Sequence, residues 1–195
     1  MGVRGSMNIW FRADLSELVA HRPAVLYPIM QPGAEVGGIG MGLVRMVRPW
    51  NEWLIVWGYD INEPAPMIDE AKATDIARQL VGKRDLEIKL LGANTWTVKN
   101  MYATRMQDGR VFCTGDATHR HPPSGGLGSN TSIQDAFNLS WKLAAVIKGK
   151  AGEALLDSYT LERAPIAKQI VTRANQSIAK FAPLFPLLPE ECREP

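Results

Sequence analysis

The chain of 195 residues lacks the features that would tie it to a membrane, a nucleic acid or an oxidising compartment. No apolar run approaches ~18 residues, the length a membrane-spanning helix needs. The opening Met-Gly-Val-Arg-Gly-Ser has no apolar stretch of the kind a secretory signal carries. The net charge is +2 and runs of one sign stay short, which leaves no electrostatic case for nucleic acid or an anionic surface. Two cysteines, Cys113 and Cys192, are too few for a disulfide framework, so a reducing cytoplasm is expected. Gly-x-Ser-x-Gly is absent, and so is Gly-x-Gly-x-x-Gly after an N-terminal strand. There is no internal repeat and no low-complexity tract. What is present is an apolar content of 46%, enough for a sizeable core in one large domain or two small ones.

The first hundred residues read as strands with one or two helices between them, and the chain as α+β. In Ser6–Arg12, Met7, Ile9 and Phe11 alternate with Asn8 and Arg12, which predicts a strand, with Trp10 on the polar side. Asp14–Ala20 predicts a short helix with Asp14 as N-cap and Glu17 at capping-box spacing. Ala24–Met30 is a strand that Pro28 confines to an edge or a bulge. Five glycines and one proline make residues 31–42 a turn-rich connection. Leu43–Val47 and Trp53–Tyr59 predict an antiparallel pair, the second apolar on both faces and therefore central. Asp69–Leu80 predicts an amphipathic helix with Ile68, Ala71, Ile76, Ala77 and Leu80 inward. Leu86–Leu91 and Thr95–Lys99 supply two more strands. Trp10, Trp50, Trp53, Trp57 and Trp96 fall in or beside this sheet, where packing is the ordinary role of tryptophan.

The stretch from Arg110 to Lys148 carries the chemistry. Arg110–Thr114 predicts a buried strand that ends at Gly115-Asp116. Between there and Asn130, Pro122 and Pro123 fix the backbone while Gly115, Gly125, Gly126 and Gly128 free it, so the loop can lie flat against a ligand. Past Asn130 the spacing turns helical. Ile133, Ala136, Phe137, Trp141, Ala144 and Ile147 share a face expected to pack, and Asp135, Asn138 and Lys142 a face expected to stay polar. Asn130, Thr131 or Ser132 would cap the start and Gly149 the end. The helix N-terminus then faces the glycine loop and favours an electron-rich ligand atom. Ala154–Arg163 and Pro165–Phe181 predict two more helical segments, with Leu155, Tyr159, Ile166, Ile170, Ala174 and Ile178 inward. Residues 183–195 are proline-rich and read as an extended tail.

Three chemistries compete for the loop. Asp116, His119 and His121 could bind a metal, but Asp-x-x-His-x-His is not a recognised spacing and no fourth ligand lies near, so no metal is assigned. Ser124 or Cys113 as a nucleophile would need a base and an oxyanion hole that no motif here supplies. A flavin needs a flat backbone contact, a carboxylate for its ribityl hydroxyls and positive potential at its N1–C2=O edge. Gly-Asp, Pro-Pro and Gly-x-Gly at a helix start supply these in chain order. A structural turn that merely reverses direction accounts for the same residues equally well.

Gly115-Asp116-Ala117, Pro122-Pro123, Gly126-Leu127-Gly128-Ser129-Asn130, Gln134-Asp135-Ala136 and Asn138–Leu143 together resemble the second flavin motif of single-component, FAD-dependent aromatic hydroxylases. Met41–Asn62, Thr160–Lys168 and Ile170–Asn175 make the chain most similar to the chlorophenol branch of that family, and the likeness runs through nearly all of it. The resemblance implies a partial FAD/NAD(P)-binding hydroxylase fold of α+β class. Residues 1–105 would form a mainly antiparallel substrate-domain sheet. Residues 106–182 would be the C-terminal part of the FAD-binding domain, a strand–loop–helix followed by helices, and residues 183–195 a tail.

The implied activity is hydroxylation of a phenol, in particular a chlorophenol, ortho to its hydroxyl with FAD, O2 and NADPH or NADH. By that likeness Asp116 accepts the ribityl hydroxyls and Gly115 allows the close approach. Pro123 lies beside the reactive face, the backbone N–H groups of Leu127, Gly128, Ser129 and Asn130 meet the N1–C2=O edge, and Gly126 is also a cofactor-binding position. No catalytic side chain is assigned. The family's Gly-x-Gly-x-x-Gly segment and thioredoxin-like domain have no counterpart here, so the chain reads as an internal piece of a longer, cytoplasmic enzyme, for which a homo-oligomer is one expectation. The alternatives are a remnant that does not bind FAD by itself, or a hydroxylase of another aromatic.

Overall fold

The computed structural model describes residues 4–30, 42–62 and 64–180. The connection expected at residues 31–41 and the tail at residues 183–195 lie outside them. The described residues fall into two compact units that divide between Thr97 and Val98.

The first unit is a five-stranded sheet with strands in the order β2-β3-β4-β1-β5. These strands are β1 (Arg4–Arg12), β2 (Leu26–Ile29), β3 (Gly42–Arg48), β4 (Glu52–Tyr59) and β5 (Lys89–Val98). Strands β1 and β4 pair antiparallel, with Ile9 opposite Ile55 and Phe11 opposite Trp53. Because side chains alternate across a strand, Met7, Ile9 and Phe11 share the core face with Val44, Trp53 and Ile55, all buried. β4 is the middle strand and β2, with Pro28, an edge, as the sequence predicts.

Helix α1 (Ser16–Val19) differs from expectation: Leu15, not Asp14, is the N-cap, and the Asp14 carboxylate instead accepts from the Ser16 N–H at 2.9 Å. The Ser16 hydroxyl first, and the Ser16 N–H second, hold the Asp14 carboxyl below its usual range.

Helix α2 (Glu70–Val81) covers the core face. Asp69 caps it by accepting from the Lys72 N–H at 2.8 Å, and Gly82, at φ 77°, ends it in the left-handed conformation that favours glycine. Its buried residues are Ala73, Ile76, Ala77 and Leu80. Ala73 replaces the expected Ala71, which is exposed, because Ala73, Ile76, Ala77 and Leu80 share one helical face and position 71, two residues before Ala73, falls nearly opposite it. A side chain at Gly42 would stand 2.5 Å from Leu80 Cδ2, so any larger residue there would push the buried Leu80 side chain from its place. The two strands expected between Leu86 and Lys99 are one continuous β5 through Gly92.

The second unit is built on two long helices, α3 (Leu127–Ile147) and α4 (Ala154–Ala179). Four two-residue strands accompany them: β6 (Met101–Tyr102), β7 (Gln107–Asp108), β8 (Val111–Phe112) and β9 (His119–Arg120). β6 pairs with β9 and β7 with β8, both antiparallel. The buried strand expected at Arg110–Thr114 is therefore short, and Val111 is 65% exposed. α4 is one helix, not two segments. Pro165 lies inside it on the exposed side, as does Leu161, whose carbonyl loses its helical partner to the proline and can turn to water. Its buried residues are Tyr159, Arg163, Ala167, Val171 and Ala174. The Tyr159 hydroxyl donates to the Cys113 carbonyl at 2.8 Å. Burial first, and the nearby Asp135 second, push that hydroxyl's pKa up to about 12.

Candidate functional site

Residues Gly115–Ala117 form a 3₁₀ turn, entered through Gly115 at φ +61°. A Cβ there would stand 3.0 Å from Ser132 Oγ on α3, so both conformation and space require glycine. The Gly115 carbonyl accepts from the Thr118 N–H (2.8 Å) and from Thr118 Oγ1 (2.9 Å). Arg120 Nε donates to the Asp116 carbonyl at 3.0 Å. The turn's backbone is thus tied on both sides of Asp116, whose side chain is exposed and has no partner among the described residues.

Beneath the turn lies a buried polar cluster. Asp135 Oδ2 accepts from the Gly115 N–H at 3.3 Å and from His119 Nε2 at 2.9 Å, and Oδ1 accepts from Arg163 Nε at 2.7 Å. Since a carboxylate offers acceptors, His119 carries its proton on Nε2. His119 Nδ1 and Arg163 Nη2 are buried without a hydrogen-bond partner. One turn-pair further along α3, the Lys142 ammonium is fully buried, 2.7 Å from Ser158 Oγ and 2.8 Å from Glu162 Oε2. The bonds from Lys142 and then Asn138 hold the Glu162 carboxyl below its usual range.

This arrangement inverts the face expected of α3. Asp135 and Lys142 are inside, whereas Ile133 (66%), Phe137 (74%) and Trp141 (48%) are exposed. Hydrophobicity assigns apolar residues to the core, but here Arg163 and Glu162 on α4 supply opposite charges that let the polar face be the packed one. Among the described residues nothing covers the apolar face.

The start of α3 also differs. The helix begins at Leu127 rather than after Asn130, with Gly126 at φ +63° as N-cap and no side chain capping it. Asn130, Thr131 and Ser132 instead donate back to the carbonyls of Gly126 (2.9 Å), Leu127 (2.8 Å) and Gly128 (2.9 Å). The N–H groups of Leu127, Gly128 and Ser129 therefore precede the first carbonyl the helix can offer them. With Gly125 at φ +78°, two successive left-handed glycines open the helix end. Before them Pro122 is buried and Pro123 exposed. His121 Nδ1 donates to the Pro122 carbonyl at 2.7 Å, so the two histidines near Asp116 are both engaged in the protein's own bonds. Among the described residues no three His, Cys, Asp or Glu side chains are grouped to hold a metal.

Of the residues singled out from the sequence, Gly115, Asp116, Pro123, Gly126, Leu127, Gly128, Ser129 and Asn130 all lie on one continuous segment of the second unit. The cluster of Asp135, His119 and Arg163 was not singled out for a role. Its signal would have been Asp135, a charged residue eight after the helix start, with an arginine available on the next helix. A hydroxylated, electron-rich cofactor fits this segment: an unpartnered carboxylate and uncapped N–H groups are offered together, with an apolar proline between them in the chain.

Hollows open among the described residues of the first unit. One of about 340 Å³ opens on the face of the sheet away from α2, bounded by Asn8, Trp10, Val47, Leu54 and Gly92. A larger one, about 1130 Å³, includes Arg12, Arg48 and Glu52. Arg12 (3.3 Å) and Arg48 (3.8 Å) are drawn to Glu52 there and Arg78 Nε donates to the Leu86 carbonyl at 3.0 Å, a charged lining that favours the smaller, more apolar hollow for a neutral aromatic.

Comparison with known proteins bears on both units. The family model described as "FAD binding domain" matches residues 1–174. The chain is similar to 2,4-dichlorophenol 6-monooxygenase of Cupriavidus pinatubonensis (strain JMP 134), 60% identical over 184 residues, 94% of this chain and 31% of that protein. It is 54% identical over 188 residues to phenol 2-monooxygenase of Pseudomonas sp. (strain EST1001), 95% of this chain and 30% of that one. Among solved structures it is similar to the flavin-dependent monooxygenase PieE in complex with FAD and substrate. That match has a TM-score of 0.83 and 36% identity, covering 94% of this chain and 31% of the other. The chain thus spans about a third of the length of the relatives it matches. No helix of the described residues is long and apolar enough to cross a membrane.

Proposed function

The chain belongs to the FAD-binding-domain family, and on that premise we propose that it supplies the isoalloxazine and ribityl end of the FAD site in a phenol monooxygenase. The polypeptide would hydroxylate a phenol, in particular a chlorophenol, ortho to its hydroxyl, using O2 and NADPH or NADH, in the cytoplasm. The observation that carries this reading is the exposed, unpartnered carboxylate of Asp116 on a tied-down turn, one loop before the uncapped start of α3. Identities of 54% and 60% to a phenol and a dichlorophenol monooxygenase support the substrate class.

In this reading each residue has a physical task. Asp116 accepts hydrogen bonds from the ribityl hydroxyls, and Gly115 permits the turn that presents it. The N–H groups of Leu127, Gly128 and Ser129 offer positive potential to the N1–C2=O edge, and Gly126 and Asn130 shape that end of the helix. Pro123, rigid and without an N–H, would stand beside the ring's reacting side and keep water from hydrogen-bonding there. When bound and reduced by NAD(P)H, FAD would supply the activation of O2, chemistry that belongs to the cofactor. Residues 1–105 would form the substrate-side domain, the hollow on its sheet face with Trp10, Val47 and Leu54 receiving the phenol ring. Residues 106–182 would form the flavin-side domain and residues 183–195 a tail.

The test is NADPH and NADH oxidation by the complete polypeptide loaded with FAD. Stimulation by phenol or 2,4-dichlorophenol, with a hydroxylated product, is the expected result. Oxidation that no phenol stimulates would sink the proposal.

A further inference from the structure

Asp135 has no ligand-binding task in the reading above, yet it ties together every element around the Asp116 turn. It sits in the third turn of α3, fully buried, and its two oxygens serve donors on the turn (Gly115 N–H), on β9 (His119) and on α4 (Arg163). From the opposite side the turn is tied by Thr118 to the Gly115 carbonyl and by Arg120 to the Asp116 carbonyl. We propose that Asp135 is a positioning residue of the flavin site, holding the Gly115–Ala117 turn in the one orientation that presents the Asp116 carboxylate to the ribityl hydroxyls. The inference rests on the reading of Asp116 given above.

The chemistry explains why a buried carboxylate is used. Gly115 has no side chain to restrain it, and at φ +61° it occupies one of several conformations open to glycine. An acceptor fixed beneath its N–H removes that freedom. The acceptor must also satisfy His119 and Arg163, and only a group with two acceptor oxygens and no donor does so. Asparagine at this position has the same shape but turns an NH2 toward one of those three donors. The cluster already has a donor to spare, since Arg163 Nη2 lacks a partner, so loss of the Asp135 acceptor leaves further donors unpaired. Lys142 is the internal comparison. It is as buried as Asp135 and lies on the same helix, but its partners Ser158 and Glu162 are both on α4 and neither touches the turn.

The experiment is a flavin-fluorescence titration of FAD against the complete polypeptide, with the thermal midpoint of each variant measured alongside. Asp135→Asn should weaken FAD binding about tenfold or more. Lys142→Met should lower the midpoint and leave FAD affinity unchanged. Combined with Asp116→Ala, Asp135→Asn should cost little beyond the larger single effect, because it acts through Asp116. Wild-type affinity in Asp135→Asn, or losses that add in the double variant, would overturn the positioning role while leaving Asp116 in place. Unchanged affinity in Asp116→Ala would instead overturn the underlying reading, and the positioning role with it. Should Asp135→Asn fail to fold, His119→Gln keeps the Arg163–Asp135 pair and is read by amide hydrogen exchange. Faster exchange across Gly115–Thr118 with weaker FAD binding is expected, and unchanged exchange contradicts the proposal.

Discussion

Around Ile9, Phe11, Trp53 and Ile55 the first unit buries hydrocarbon against hydrocarbon, whereas around Asp135 and Lys142 the second buries charge against charge. The two choices have different uses. Apolar packing is strong and undirected, so it can hold a sheet without fixing the aim of any one backbone group. A buried carboxylate with three donors adds little net stability over a well-packed apolar core, but it fixes direction and is costly to break. The first unit has a buried carboxylate too, Glu52, but its donors Trp10, Arg12 and Arg48 lie on strands of the sheet, whereas the directed bonds of Asp135 hold the turn that offers Asp116.

Substitutions of graded severity can break or sharpen this contrast. The largest effects should come from Phe11→Ala and Asp135→Ala, each destabilising by ~3–5 kcal/mol in chemical denaturation, the first through a cavity and the second through donors left buried without an acceptor. They should differ in what repairs them. Asp135→Leu with Arg163→Met should recover part of the second loss, since removing both charges spares the uncompensated guanidinium. No recovery would mean the cluster does more for stability than the contrast allows.

Gly115→Ala should cost ~1–2 kcal/mol, the penalty of a left-handed residue with a side chain. Adding Ser132→Ala should relieve the 3.0 Å approach and leave the conformational part of the loss. Complete rescue would show that contact, not backbone conformation, selects glycine.

Tyr159→Phe should cost ~1 kcal/mol through the lost bond to the Cys113 carbonyl. It should also change the alkaline limb. The Tyr159 hydroxyl's pKa is raised from 10.0 to about 12 in the folded protein, so its stabilisation is complete below pH 10 and fades as pH rises toward 12. Denaturation profiles over that window should flatten in the variant.

The smallest effect should be that of Glu162→Gln, below ~1 kcal/mol, because the Glu162 side chain is about half exposed and water screens it. Its carboxyl is held below the ordinary value of 4.5, so the stability it adds is present above pH 4.5 and is lost as pH falls through the lower folded value. An acid denaturation curve unchanged by the substitution would remove Glu162 from the cluster.

The same contrast explains what could be read from the residues alone. In the first unit the alternation of Met7, Ile9 and Phe11 and the helical spacing of Ile76, Ala77 and Leu80 are local signals, and each has its expected place in the fold. Gly92 and Pro165 were misleading punctuation, since β5 and α4 run through them where the chain is exposed or at an edge. In the second unit the decisive partners are distant in sequence: Arg163 comes 28 residues after Asp135 and Glu162 20 after Lys142. A periodicity argument sees only the helix, so it placed Phe137 and Trp141 inside. The site segment itself was legible as Gly-Asp, Pro-Pro and Gly-x-Gly. The support beneath it was not, because no spacing rule links Gly115 to the carboxylate of Asp135.

The most direct test of the account is the FAD dissociation constant of the complete polypeptide before and after Asp116→Ala. Loss of a charged acceptor predicts weakening by ~1–3 kcal/mol, roughly five- to 150-fold, with the thermal midpoint of the flavin-free protein unchanged because that carboxylate has no internal partner. Equal affinity in the two proteins would contradict it.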